Sequence, residues 1–296
     1  MSRCFKGGIQ MKELVDEQHR PDQLRIVVDK AGISNLEVPL TLLYRPSDSH
    51  HPGIRHVIAK VDAYARLPRN RKGVDMSRLP EVLFEHSGRF LTMTSFKEIA
   101  ERLYKRLELK DIYLRFSFGF AKLSVSPVTK KEAMLVYDCV VSVIYPPYRH
   151  FVMVKVPVQT VCPCSRAMCL VDHEKQIGKG AHNQRAEVTL QVEVSKVPGV
   201  YFETLINIIE RSASSPVYVI LKRPDEKHVT EHAYDNPVFV EGLARRVSDK
   251  VSKLKNVKWY RIKVESFESI HKHNAVAYIG RVKKGTKWFL STKSFV

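Results

Sequence analysis

Apolar residues recur with two distinct periods along this chain, and the two periods succeed one another in a regular order. Residues 54–67 (IRHVIAKVDAYARL) alternate in stretches and predict a strand. Spacings of three and four then predict helices over 77–86 and 95–107. Ser95 and Glu98 match a capping box at the start of the second helix. Strands are expected at 111–125 and 132–145, with a turn at Ser126-Pro127 and Thr129-Lys130 between them. After Pro146-Pro147 the order begins again. Residues 150–160 and 185–196 alternate, 201–213 and 238–254 have helical spacing, and 257–267 and 275–282 return to strand.

Each half thus reads strand, strand, helix, helix, strand, strand, a repeat of pattern with little residue identity. The expected class is α+β, with antiparallel strands and two helices on one face in each half. The expected division is an N-terminal extension at 1–30, polar, charged and read as flexible, a first unit at 31–147, and a second at 148–296. Unpaired sheet edges would be natural places for subunits to join into a larger barrel.

The 296 residues suffice for a sizeable core. Their 44% apolar and 27% charged content is ordinary for a globular protein. No run of about 18 apolar residues suggests a membrane span, and the first residues lack the apolar centre of a secretory signal. Five cysteines, Cys4, Cys139, Cys162, Cys164 and Cys169, are too few and of the wrong parity for a secreted disulfide framework. A reducing, cytoplasmic setting is expected. With 49 Lys and Arg against 31 Asp and Glu, the formal charge of +18 predicts attraction to polyanions. Nucleic acid and a small polyanion such as a nucleoside triphosphate both satisfy it. The chain contains no paired Cys/His zinc finger, no ribonucleoprotein motif and no Gly-rich RNA-binding repeat.

The densest chemistry lies in 158–185, VQTVCPCSRAMCLVDHEKQIGKGAHNQR. Pro163 between Cys162 and Cys164 predicts a loop rather than a strand. A thiolate is a strong ligand for zinc-like metals, and His182 follows on a loop that leads into a strand. Together they are half a metal site, and a structural cysteine beside a surface histidine fits the spacing equally well. The run Leu221-Lys222-Arg223-Pro224-Asp225-Glu226-Lys227-His228 mixes carboxylates and cations, as solvated loops also do. His271 and His273 stand two apart at the end of a strand pattern, and Glu241 lies at or just before a helix start.

Taken in order, CPCS, AHNQR, SSPVY, LKRPDEK, VTE, AYDNP, FVE and ESFESIH resemble the GTP cyclohydrolase IB family, as does Met76-Ser77-Arg78 after Gly73. The similarity runs from about residue 30 and is strongest over 157–275. The resemblance implies a tunnelling fold with two tandem units per subunit and a homotetramer. It implies a divalent metal (zinc, manganese or iron) held by Cys162, His182, Glu226 and His271. Glu241 would grip the guanine edge, and Cys164 would be a second active-site thiol. Arg185, Lys222 and Arg223 are candidates for the triphosphate by their proximity to these motifs; each is equally well an ordinary surface base. Cys162 and His182 stand farther apart than is usual in the family. The insertion, Ala167–Lys179, contains Cys169 and His173, which are expected not to be obligatory ligands. Lys272 replaces a common proline.

The implied activity is hydrolysis of GTP to 7,8-dihydroneopterin triphosphate and formate, the first step toward folate-type pterins. Water must attack guanine C8 and a second hydrolysis must release formate; a divalent metal lowers the pKa of a bound water to about 7. A mixed thiolate, carboxylate and imidazole set does not choose among metals. The alternatives are an archaeal-type cyclohydrolase with a cyclic phosphate product and a non-catalytic, zinc-stabilised nucleic-acid-binding protein. No membrane partner is expected, and nucleic acid is the lesser expectation.

Overall fold

The computed structural model describes residues 17–44, 53–170, 180–195 and 202–293. In chain order the elements are β1 (Val28–Tyr44), β2 (Gly53–Leu67), α1 (Arg78–Phe84), β3 (Phe90–Leu91), α2 (Ser95–Leu107), β4 (Lys110–Val125), β5 (Glu132–Tyr145) and β6 (Arg149–Val161). There follow α3 (Pro163–Leu170), β7 (Asn183–Val194), α4 (Phe202–Glu210), β8 (Ser215–Pro216), α5 (Arg223–Asp235), α6 (Val240–Ser252), β9 (Val257–Ser266), β10 (Ala275–Lys284) and β11 (Lys287–Leu290). None of the described helices is long and apolar enough to cross a membrane.

Among the described residues all eleven strands belong to one sheet, ordered β11-β10-β9-β7-β6-β5-β4-β2-β1-β3, with β8 added beside β6. Neighbours along the path are antiparallel except β1 and β3. Because side chains alternate across a strand, register decides which residues share a face. Val61 pairs with Phe116, Phe116 with Val141, Val141 with Val152, Val154 with Leu190 and Leu190 with Ile262. All are buried, so one apolar face runs through strands of both halves. The helices cover it: α1 lies against β1, α2 against β4 and β5, α4 against β6, and α6 against β9 and β10. The opposite face leaves Ile58, Leu123, Val136 and Tyr278 exposed.

The tunnelling fold of two tandem strand-strand-helix-helix-strand-strand units is corrected by this topology to a single large mixed sheet of eleven strands with six helices. Pro146-Pro147, read as a seam, forms part of a tight connection between β5 and β6. These strands pair from Asp138↔Lys155 to Ile144↔Arg149, joining the halves instead of separating them. The core is shared too. Phe202 of α4 meets Phe118 and Phe120 of β4 at ring separations of 5.6 and 5.4 Å. Alternation reports that a segment is extended; it does not report its neighbour.

Two helices were missed for one reason. In α3 no residue is buried, and in α5 only Asp225 and Ala233 are. Neither presents the apolar stripe that marks a helix in a sequence. Pro163 does not hold Cys164 in a loop: it opens α3, at a position where a missing N–H costs nothing. The capping box at Ser95 also does not form. Ser95 Oγ accepts from Thr92 N–H at 3.1 Å, and Thr94 is the N-cap.

Candidate active site

Three adjacent strands carry inward-facing apolar rows that each end in a polar residue. On β6 the row Val152, Val154, Val156, Val158 ends in Thr160; on β7 the row Val192, Leu190, Val188, Ala186 ends in Gln184; on β9 the row Ile262, Val264 ends in Ser266. Thr160 faces Gln184 across one ladder and Ala186 faces Ser266 across the next, so the three polar residues lie together at one end of the sheet. Thr160 and Ser266 are 1% and 0% exposed, and burial at that level requires hydrogen-bond partners. They find them in each other at 3.2 Å. Gln184 Nε2 donates to Thr160 Oγ1 and Glu268 Oε1, both at 3.3 Å.

Over this polar floor opens a cleft of about 260 Å³, whose walls include Cys162, His182, Glu241, Glu268, His271 and His273. Each wall residue sits where an element begins or ends. Cys162 follows β6 and precedes α3; its N–H donates to the His182 carbonyl at 3.1 Å, fixing the thiol beside the residue that leads into β7. The Ser165 N–H points at Cys162 Sγ (3.4 Å), and Ser165 Oγ accepts from His182 N–H (3.3 Å). His271 and His273 lie between β9 and β10 with rings stacked 4.8 Å apart. That segment is anchored by Phe267 N–H donating to the Arg185 carbonyl at 2.9 Å. Glu241 is in the first turn of α6, where a helix start favours a carboxylate. The entry to α6 is tied to β6 by Val238 N–H donating to the Val161 carbonyl at 3.0 Å.

Of the expected site residues, Cys162, His182, His271 and Glu241 therefore line one cleft. Glu226, Lys222, Arg223, Arg185 and Cys164 are exposed and do not belong to its walls. Cys169 is half-buried on α3, and His173 lies outside the described residues. One thiol, three imidazoles and two carboxylates are a donor set that suits a divalent transition metal. Among the described residues no three His, Cys, Asp or Glu side chains are already gathered as a coordination sphere. A cleft of about 450 Å³, beside Arg66, Arg69 and Lys110, has no His or Cys in its walls. Chemistry rather than size selects the site.

The residue beside Glu226 is better defined than Glu226 itself. Asp225 is fully buried. It accepts from the N–H groups of Val128 and Thr129 at 2.8 Å, from the Thr129 hydroxyl at 2.5 Å and from Lys222 N–H at 2.9 Å. It thereby fastens the start of α5 to the β4–β5 turn. Burial alone would raise its pKa, but the Thr129 hydroxyl and the three backbone donors outweigh it and hold the carboxyl well below the usual carboxylate range. A lowered folded-state pKa gives stability that is complete above the unfolded value of about 3.9 and is lost as pH falls. Asp225→Asn should thus lower the thermal unfolding midpoint at pH 7, and the gap to wild type should shrink as pH drops below about 4. A gap that widens on acidification would contradict this.

A family model described as type I GTP cyclohydrolase folE2 matches residues 14–277. The chain belongs to that family. The sequence resemblance was to type IB; the family established by the match is type I, FolE2. The chain is 38% identical over 273 residues to the GTP cyclohydrolase FolE2 of Syntrophobacter fumaroxidans, covering 91% of this chain and all of that one. It is 39% identical over 265 residues to the FolE2 of Thermotoga petrophila, covering 89% and 96%. Among solved structures, the uricase of Arthrobacter globiformis aligns over 87% of this chain and 94% of its own, with a TM-score of 0.49 and 7% identity.

Proposed function

We propose that this FolE2-family chain is a GTP cyclohydrolase, hydrolysing GTP to 7,8-dihydroneopterin triphosphate and formate at the cleft beside Cys162, in folate biosynthesis. The observation that carries the siting is the convergence of Cys162, His182, His271 and Glu241, from four separated stretches of sequence, on one cleft. A divalent metal would be held by Cys162, His182 and His271; Glu226, the fourth ligand the resemblance implies, is exposed outside the cleft walls and has to be tested separately. When bound it would supply Lewis acidity and acidify water for the two hydrolyses.

The chain's own residues supply recognition. A carboxylate at Glu241 accepts from guanine N1–H and the 2-amino group, a charge-assisted pair that adenine cannot reproduce. Thr160, Gln184 and Ser266 make the floor rigid because each is buried and hydrogen-bonded. Arg185, Lys222 and Arg223 are exposed cations that would meet the triphosphate from outside the cleft. The few cysteines suit a reducing, cytoplasmic setting.

The product distinguishes this reading from the cyclic-phosphate variant. With GTP and zinc, manganese or iron, pterin fluorescence should rise and phosphorus NMR should show an intact linear triphosphate. A cyclic phosphate would reassign the product, and salt-dependent RNA or DNA binding without turnover would overturn the enzyme reading. We also propose a homotetramer of the 34.0-kDa chain. Light scattering should give four times the chain mass, and an active monomer would remove that claim.

A further inference from the structure

We propose that Gln184 is a positioning residue that holds the His182 imidazole in one tautomer, with the proton on Nδ1 and the free lone pair on Nε2. The inference deepens the site reading above, since it rests on His182 being a ligand donor.

Hydrogen-bond chemistry settles the orientation of the Gln184 amide. At one end, the amide meets Glu268 Oε1 at 3.3 Å. An ionised carboxylate only accepts, so the amide nitrogen must be the atom facing it. The same nitrogen donates to Thr160 Oγ1 at 3.3 Å, and the Thr160 hydroxyl pairs in turn with the Ser266 hydroxyl at 3.2 Å. The amide oxygen therefore faces His182 Nδ1 at 2.9 Å, and an oxygen without a hydrogen can only accept. Nδ1 must carry the hydrogen. In a neutral ring this leaves Nε2 unprotonated, as a metal ligand requires.

The arrangement is built and buried. Gln184 is 9% exposed, and Thr160 and Ser266 lie beneath it at 1% and 0%. Rotating the amide would point its NH2 at the imidazole and its oxygen at the Glu268 carboxylate. That rotation would set two acceptors, the amide oxygen and the Glu268 carboxylate, against each other. The sequence carries the same message: Gln184 occupies the end of an otherwise apolar inward row on β7, where a residue with no polar duty would be aliphatic. Glu268 thus acts on His182 through Gln184.

The test uses full-length, metal-free protein labelled in its histidines, with His182 assigned by the loss of its signals in His182→Ala. Imidazole nitrogen NMR of wild type should show the Nδ1–H tautomer at His182. Gln184→Leu, which keeps bulk but removes both polar atoms, should release that preference. It should also weaken Zn2+ binding about 10- to 100-fold in competition with a chelating dye, the usual cost of losing an outer hydrogen-bond partner of a ligand. The exchange Gln184→Glu with Glu268→Gln reverses donor and acceptor between the two positions while still accepting from Nδ1–H. It should restore the tautomer and most of the affinity. Matching unfolding midpoints for the exchange variant and wild type would show that the rescue is not one of folding. An Nε2–H tautomer in wild type, or an unchanged tautomer in Gln184→Leu, would overturn the proposal. If the tautomers behave as described but Zn2+ does not bind the wild-type cleft, Gln184 keeps its role and the metal reading fails.

Discussion

Cys162→Ala is expected to lose the divalent ion and GTP turnover together. Cys162 stands at the end of β6 with its backbone bonded to His182 and with the Ser165 N–H directed at its sulfur. It also immediately precedes α3, whose first N–H groups favour an anionic neighbour. Among the described residues no other cysteine lines the cleft. Losing an outer partner of a ligand typically costs about 10- to 100-fold in metal affinity, so removing the thiolate itself should exceed about 100-fold. Turnover should fall at least as far, because the proposed metal would be the group that acidifies water for the hydrolyses at neutral pH. Cys169→Ala should keep metal and activity, since Cys169 lies on α3 and outside the cleft walls. Elemental analysis and turnover of both variants check this. Full metal occupancy in Cys162→Ala would remove that residue from the ligand set.

Glu241→Gln should abolish most GTP turnover while the metal stays bound. The substitution replaces one acceptor oxygen by an NH2 group, which then faces a guanine donor. Glu241 is exposed in the open cleft, and a guanine seated against it would bury the mispaired groups; leaving such groups mispaired is how sites reject a wrong base, on the order of 10⁴-fold. Glu226→Gln should do the opposite in the first instance, lowering metal content and turnover only as a consequence. Glu226 lies on α5 beside the buried anchor Asp225 and is not a wall residue of the cleft. Its assignment as ligand thus stands or falls on this comparison. If Glu226→Gln retained full metal and Glu241→Gln alone lost it, the two carboxylates would exchange roles.

The strands and apolar helices were legible in the sequence because each has one buried face. In α6, Val240, Leu243, Ala244, Val247 and Val251 repeat at helical spacing and are all buried. In β9 the buried residues alternate from Trp259 and Tyr260 through Ile262 and Val264 to Ser266. Helices α3 and α5 were invisible because they bury almost nothing, and the single sheet was invisible because pairing of β5 with β6 leaves no trace in either strand's alternation. At the site, ligand-type residues were legible as types: Cys162, His182, His271 and Glu241 carry recognisable chemistry. Thr160, Gln184, Ser266 and Glu268 were not. Their signal, a polar residue ending an apolar inward row, becomes readable once register shows three such rows ending together.

The most direct test is to follow GTP carrying carbon-13 at C8 by NMR with the protein loaded in turn with zinc, manganese and iron. The purine C8 signal should disappear and an equal amount of labelled formate should appear with at least one of the metals, and a chelator should stop the conversion. GTP that stays intact with all three metals, or that loses phosphate while keeping C8 in the ring, would contradict a cyclohydrolase at this cleft.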